Sequence, residues 1–314
     1  MKKTEHMPAK RLLPIICGPT AAGKTELSLS LAEAFQLEIV SADSRQVYRT
    51  MDVGTAKPTR AERARVPHHL IDVVWPDQFF NVSRYLQLAH AAIDDIRERG
   101  RRPLLVGGTG LYIRALTEGL LRAPGADHAL RRQLTKRAEA EGVEVLHQLL
   151  SEVDSATAAK LHPNDRLRII RALEVFEQSG RPLSAFQQEH RFSDRPYQTL
   201  KIGLAVERDL LYSRINERAE RMFEAGLLTE TRALLEAGYS ETLKTLQTIG
   251  YRQALQVLKG KMTPAEALED LQRATRRYAR QQMTWLRRDR TIKWLDSCTD
   301  FDRIHKFIED YYAN

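Results

Sequence analysis

The chain has 314 residues, 42% of them hydrophobic, enough to bury a sizeable core and long enough for two domains. Its formal charge of +8 points to a polyanionic partner, because Lys and Arg in excess raise the local concentration of phosphates. No segment approaches the roughly 20 consecutive apolar residues of a membrane span, and the first ten residues lack the apolar stretch of a signal peptide, so a cytoplasmic protein without membrane contact is expected.

In chain order, residues 12–17 (LLPIIC) predict a short strand, weakened at Pro14. Residues 18–25 then read Gly18, Pro19, Thr20, Ala21, Ala22, Gly23, Lys24, Thr25, a complete G-x-x-x-x-G-K-[ST] loop. Leu27, Leu31 and Ala34 follow at helical spacing, which is the strand, loop and helix order a phosphate-binding loop requires. Glycines let such a backbone curl its amides inward, Lys24 adds a point charge, and the Thr25 hydroxyl is suited to a magnesium ion. Residues 37–40, 70–74 and 104–106 are further strand candidates, and Tyr85, Leu88, Ala89, Ala92, Ile93 and Ile96 mark one helix face that Gly100 closes.

This alternation predicts an α/β fold with a parallel sheet, whose ligands sit at the carboxyl ends of the strands. Between residues 120 and 196 strand signals vanish and charged helix patterns take over, at residues 127–141 and 165–178. We read that stretch as a helical insertion domain in a catalytic core of residues 1–119 and 197–314. Residues 200–206 read as the returning strand, followed by a helix that buries Leu211, Ile215, Ala219, Met222 and Phe223 and stops at Gly226. A last long helix begins at Thr263, with Pro264 at its first position and Glu266 completing a capping box, and runs to about Arg288.

Candidate chemistry clusters just after the strands. Asp43 follows the second one, where a carboxylate can ligate magnesium through water or accept a proton; the alternative is that it only caps a turn. Gly107, Gly108, Thr109 and Gly110 follow the next strand, permitting close backbone approach and offering a hydroxyl. His68 and His69 have no partners at zinc spacing and read as structural. Cys17 and Cys298 suit a reducing compartment and read as buried small apolar residues. Arg273, Arg276, Arg277 and Arg280 form one stripe without acidic partners on the last long helix, suited to a phosphate backbone, with Tyr278 and Trp285 nearby. Arg166, Arg168 and Arg171, and Arg131, Arg132, Lys136 and Arg137, are weaker basic clusters, because Glu174 and Glu177 are available to Arg171. Arg214, Arg218 and Arg221 share one helix face, from which one of them is expected to reach the phosphate rim.

Taken together these residues resemble the tRNA dimethylallyltransferases, also called tRNA isopentenyltransferases. The resemblance rests on the loop at 18–25, SADSRQVY at 41–48, MDVGTAKP at 51–58, HHLID at 68–72, GGTGLY at 107–112, PNDR at 163–166, RALEV at 171–175, QTIGYRQ at 247–253 and RQQMTWLR at 280–287. It implies a P-loop NTPase-like parallel sheet whose loop binds the diphosphate of dimethylallyl diphosphate rather than ATP, with Mg2+ held partly by Thr25. It further implies that Asp43 accepts a proton or hydrogen bond from the exocyclic amine of the adenine 3′ of the anticodon, and that Thr109 and Arg218 steady the departing diphosphate.

The tRNA contacts it implies are Asp43, Ser44, Arg45 and Gln46; Thr109 and Arg131; Leu167, Arg168, Ile169, Ile170 and Arg171; Thr248, Ile249, Gly250, Tyr251, Arg252 and Gln253; and Thr275, Arg276, Arg277, Tyr278, Ala279, Arg280, Gln281 and Gln282. A monomer acting on tRNAs that read codons beginning with U is expected. Some eukaryotic relatives append a zinc-finger segment, and this sequence stops at Asn314 without one, as expected of a bacterial-type enzyme. A nucleoside or nucleotide kinase would use the same loop on ATP but leaves the arginine stripe unexplained, and an adenylate isopentenyltransferase would prenylate free nucleotides, so that AMP would outcompete tRNA as acceptor. A non-enzymatic RNA-binding protein with a vestigial loop would leave Asp43, Thr109 and Arg218 without a reason to accompany it.

Overall fold

The computed structural model describes residues 11–190, 194–296 and 299–313; the first ten residues and Cys298 lie outside them. The elements run β1 (Leu12–Cys17), α1 (Lys24–Phe35), β2 (Leu37–Ala42), α2 (Arg60–Arg65), β3 (His68–His69), α3 (Val82–Glu98), β4 (Arg102–Gly107) and α4 (Gly110–Glu118). Five helices follow, α5 (His128–Glu141), α6 (Val143–Val153), α7 (Ser155–Ala158), α8 (Arg166–Ser179) and α9 (Leu183–His190). The chain then returns through β5 (Gln198–Ala205), α10 (Arg208–Glu224), α11 (Leu227–Glu236), α12 (Tyr251–Leu258), α13 (Pro264–Leu286), β6 (Lys293–Asp296) and α14 (Phe301–Ala313). It forms two compact units, one of residues up to Thr117 together with those from Pro196, the other Glu118–Arg195.

The sheet is parallel throughout, in the order β3-β2-β4-β1-β5-β6. Alternation along β1 sends Leu13, Ile15 and Cys17 into a core with α3 and α4, and Ile16 into the opposite core with α1 and α14. Pro14 is tolerated because β4 pairs with β1 only from Ile15 onward. Connections from β1 run to one side and those from β4 to the other, which opens a crevice at the carboxyl ends of these two strands. Register fixes what lies there. Cys17 pairs with Gly107 and Gly107 with Ala42, so Gly18, Gly108 and Asp43 leave the sheet side by side. At Gly107 an added Cβ would lie 2.3 Å from the Ala42 carbonyl oxygen, so only glycine permits that spacing.

Two elements differ from the sequence reading. The strand expected at residues 70–74 ends at His69, because Leu70 (φ 64) and Asp72 (φ 56) turn into the left-handed region. Asp72 is held there by Lys57 at 2.6 Å and Arg63 at 2.7 Å, and Lys57, only 1% exposed, also pairs with Asp52. Strand β6 was not anticipated; it pairs with β5, and Trp294 and Leu295 pack against the two cores. His69 bonds the buried Glu38 at 2.7 Å and His68 bonds the Val66 carbonyl at 2.8 Å. The expected capping box of Thr263 with Glu266 is present on α13, and Asn81, Asp127 and Asp165 cap α3, α5 and α8.

The segment at residues 52–54 is pinned by Glu230, whose carboxylate accepts the amides of Asp52, Val53 and Gly54 at 2.9, 2.8 and 3.0 Å and the Tyr251 hydroxyl at 2.6 Å. In the helical unit Leu134, Leu146, Leu150, Ile169, Ile170 and Leu173 form the core. Glu174, fully buried, accepts from Arg131 at 2.8 Å and Arg171 at 2.5 Å. Burial alone would raise its pKa, yet the two guanidiniums hold it below the usual carboxylate value. Among the described residues no helix is long and apolar enough to cross a membrane.

Candidate active site

A cavity of about 1570 Å³ opens above the carboxyl ends of β1, β2 and β4, and all of its lining residues belong to the sheet-containing unit. Residues from Thr20 to Thr25 form one wall; Asp43, Arg45, Gln46 and Thr55 form another; Arg214, Arg218 and Arg221 reach in from α10. Its outer part is lined by Lys244, Gln247, Thr248, Ile249 and Arg252, and Thr275, Tyr278 and Gln282 enter from α13. Small-molecule pockets usually occupy about 300–1,000 Å³, so this one has room for a phosphate-bearing molecule and part of a larger second one.

The phosphate loop adopts the conformation its glycines were expected to allow, with Gly23 at φ 85 and Ala21 also turned to φ 63. Helix α1 starts at Lys24 and aims its free amides and dipole at the cavity. The Lys24 ammonium donates to the Gly18 and Pro19 carbonyls at 3.0 and 2.6 Å. Burial, reinforced by Arg218 and opposed by Asp43, lowers its pKa to about 8. The charged amine therefore prevails at neutral pH and is lost above about 8. Pyrophosphate affinity is expected to fall as pH rises through that value, approaching about tenfold per unit. The Lys24→Met protein, titrated with pyrophosphate from pH 7 to 9.5, should lack that component; equal slopes in both proteins would refute the assignment.

Asp43 performs the turn role that stood as its alternative, since its Oδ1 accepts the amides of Arg45 and Gln46 at 2.7 and 3.3 Å. It also lines the cavity, with the Lys24 and Arg218 charges close enough to feel its own. Arg218 is half-buried and donates to the Thr55 carbonyl at 3.4 Å; burial lowers its pKa, Asp43 counters this, and Arg221 adds to it. Thr109 lies one residue beyond the cavity wall at Gly108. Its hydroxyl accepts the Ser44 amide at 3.1 Å while its own amide donates to the Ala42 carbonyl at 3.1 Å, which locks the segment carrying Asp43 against β4. Tyr278 meets the same hydroxyl from α13, and burial raises its pKa to about 12.

The remaining expected contacts separate by exposure. Thr248, Ile249, Arg252, Thr275, Tyr278 and Gln282 face the cavity, and Arg277, Arg280 and Gln281 are exposed on α13. Gly250, Tyr251, Gln253 and Ala279 are buried and support that surface from behind: Gln253 ties the Gly250 amide to Asp270, and Tyr251 lies under Gly54. Ile169 and Ile170 are likewise core residues, whereas Leu167 is 80% exposed and Arg168 is exposed beside Asp165. Arg131 and Arg171 are committed to Glu174.

The stripe does have partners, contrary to the sequence reading. Arg273 reaches Asp270 at 3.5 Å, one turn back, and Arg276 donates to Asn216 at 2.8 Å across to α10. Asp289, the acidic residue that follows α13, pairs with the buried Lys201 at 2.6 Å. Lys244 went unnoticed in the sequence because it carries no periodic signal, and Gln247, first residue of the QTIGYRQ stretch, was not assigned to the site; the fold of the segment before α12 brings both to the cavity.

Residues 46–289 match the family described as IPP transferase, and residues 12–72 match that described as isopentenyl transferase. The chain is 53% identical to the tRNA dimethylallyltransferase of Geobacter metallireducens and 54% identical to that of Geobacter sulfurreducens, covering 96% and 97% of this chain and 98% of each relative. Among solved structures, it is similar to the full-length tRNA isopentenylpyrophosphate transferase of Bacillus halodurans, with a TM-score of 0.72 at 41% identity over 97% of both chains. It is also similar to a eukaryotic dimethylallyltransferase acting on tRNA, with a TM-score of 0.84 at 28% identity over 97% of this chain and 80% of the other.

Proposed function

The chain belongs to the IPP transferase family, the tRNA dimethylallyltransferases, and from this premise we propose how its own residues carry the transfer of a prenyl group to tRNA. The donor is dimethylallyl diphosphate and the acceptor is the exocyclic amine of the adenine 3′ of the anticodon, in tRNAs that read codons beginning with U. The amine lone pair forms a bond to the allylic carbon, the carbon–oxygen bond breaks, and its electron pair leaves on the diphosphate. The amine proton passes to Asp43.

The observation that carries this reading is that one cavity holds both halves of the chemistry. Lys24, the amides at the start of α1 and Arg218 offer a cradle for the departing diphosphate and the negative charge it gains, and Asp43 stands at the acceptor side. An adenine amine is a weak nucleophile, so alignment and proton acceptance must supplement leaving-group stabilisation. The base must also leave its stack to enter the cavity, as single-stranded loop bases can. Thr109 is assigned to holding the Asp43 segment rather than to touching diphosphate, on the strength of its bond to Ser44.

A divalent cation fits the residues present. A small recess of about 50 Å³ beside the loop includes the oxygen-bearing Thr25, Ser28, Ser41, Asp43 and Gln46 in its lining, together with Lys24, His68 and apolar residues such as Ile39 and Val106. Among the described residues there is no group of three His, Cys, Asp or Glu that could hold a metal, as suits Mg2+ that keeps waters and shares the diphosphate. Thr25 and Asp43 would hold it, and it would add neutralising charge to the diphosphate.

In the sheet-containing unit the tRNA contacts proposed are Lys244, Thr248 and Arg252 at the cavity and the exposed Arg277 and Arg280 of α13; in the helical unit, taken by itself, they are the exposed Leu167 and Arg168. The enzyme is taken to be a cytoplasmic monomer. Incubation with labelled dimethylallyl diphosphate and unmodified tRNA should give prenylated tRNA, and incubation with ATP and nucleosides should give no phosphorylation. Replacing Arg277 and Arg280 by Gln should weaken tRNA binding and reduce its logarithmic salt slope by about 0.7–0.9 per lost phosphate contact. An unchanged slope would remove this face of α13 from the tRNA surface.

A further inference from the structure

Gln282 is polar, only 7% exposed, and bonded within the protein through both its oxygen and its nitrogen. Its side-chain oxygen accepts the Thr20 amide of the phosphate loop at 2.9 Å, and its side-chain nitrogen donates to the Gly108 carbonyl at 3.1 Å. One carboxamide thus bridges the two loops that leave β1 and β4. The fit is close on both sides, since a Cβ added at Gly108 would lie 2.3 Å from that nitrogen and 3.0 Å from the Gly18 carbonyl oxygen.

Helix α13 makes two further contacts on the same side. Tyr278 meets Thr109, which holds the Asp43 segment, and the Trp285 ring covers Gly110, where an added Cβ would sit 2.4 Å from it. Residues 278, 282 and 285 follow one another at i, i+4 and i+7 and share a face, while the exposed Arg273, Arg277 and Arg280 repeat the same spacing elsewhere on the helix. A single rigid helix of 23 residues therefore carries arginines toward solvent and grips both catalytic loops behind them.

We infer that Gln282 is a positioning residue that couples RNA engagement by α13 to the diphosphate-binding state of the phosphate loop, rather than a residue that touches RNA. A shift of α13 when its arginines meet RNA is delivered through the carboxamide to the Thr20 amide, next to the amides that receive diphosphate. Both functions of the carboxamide are needed, because an acceptor alone cannot hold Gly108 and a donor alone cannot hold Thr20. This inference rests on the reading of α13 as an RNA-contacting helix.

The test is a thermodynamic cycle with inorganic pyrophosphate and Mg2+ as one probe and an unmodified anticodon stem-loop RNA as the other. In the parent protein the RNA should tighten pyrophosphate binding by about fivefold or more, and pyrophosphate should tighten RNA binding by the same factor. In Gln282→Met, which keeps the volume and removes both bonds, that factor should fall to about one while RNA affinity measured alone changes by less than about twofold. Gln282→Glu retains the acceptor for Thr20 and loses the donor for Gly108, and it should uncouple the sites in the same way should the Met protein fail to fold. An equal coupling factor in parent and variant, or none in the parent, overturns the inference. Loss of RNA affinity in Gln282→Met without pyrophosphate also overturns it, since the residue would then be an RNA contact. Failure of the parent to bind the RNA at all would instead defeat the assignment of α13.

Discussion

Asp43→Asn is expected to lower the single-turnover rate of prenyl transfer by about 100-fold or more, the usual scale for losing a general base and equivalent to about 2.7 kcal/mol in the barrier. The choice of Asn matters because Asp43 has two tasks. Its Oδ1 caps the turn through the Arg45 and Gln46 amides, and an Asn oxygen accepts the same two bonds. The substitution therefore preserves the turn and removes the proton acceptor, so tRNA affinity and thermal stability should stay near those of the parent. Asp43→Ala removes both and should lose stability as well. Were Asp43→Asn to turn over at the parent rate, the carboxylate would be a turn cap only, and the proton would have to leave directly to solvent.

Arg218→Gln should reduce turnover by about 10²–10³-fold, the range seen when one preorganised donor to a developing anion is removed. Negative charge accumulates on the diphosphate as the carbon–oxygen bond breaks, and Arg218 is half-buried beside Lys24, where a fixed positive charge is screened less than in water. Its loss should appear mainly in kcat, with a smaller rise in KM for the prenyl diphosphate, because stabilisation grows toward the transition state. Arg218→Lys should recover little, since an ammonium cannot reproduce the planar fork that also reaches the Thr55 carbonyl. Single-turnover rates with saturating donor, beside pyrophosphate titrations, separate the two effects. A change confined to KM would make Arg218 a binding residue without a part in departure of the diphosphate.

The two substitutions probe parts of the site that were unequally visible in the sequence. Asp43 and the loop around Lys24 announce themselves, because strand, turn and helix are local and each residue type has a local reason to be there. Arg218 was one of three arginines on a helix face, and the sequence could not choose among them; in the structure all three reach the cavity. Thr109 was expected at the rim, and the structure adds a neighbour that spacing could not supply, since its hydroxyl accepts the Ser44 amide. Ile169, Ile170, Tyr251 and Gln253 were expected among the tRNA contacts, and their burial could not be read from the motifs that suggested them.

By itself the sequence determined the α/β class, the phosphate-loop motif, the all-helical stretch after residue 120 and the boundaries of several helices, including the capping box at Thr263. These follow from hydrophobic period, turn chemistry and caps, all of which act within a few residues. What only the tertiary structure decided depends on groups far apart in the chain. Leu70 and Asp72 leave the strand pattern because Lys57 and Arg63 hold the Asp72 carboxylate. Arg131 and Arg171 turn inward because Glu174 is buried between them. Gln282, 262 residues after Thr20, belongs to the phosphate loop because the sheet register brings Gly18 and Gly108 together and α13 crosses above them. Local forces write the elements into the sequence; the pairing of buried polar groups is settled only when those elements meet, since each such group must find its partner wherever the fold supplies one.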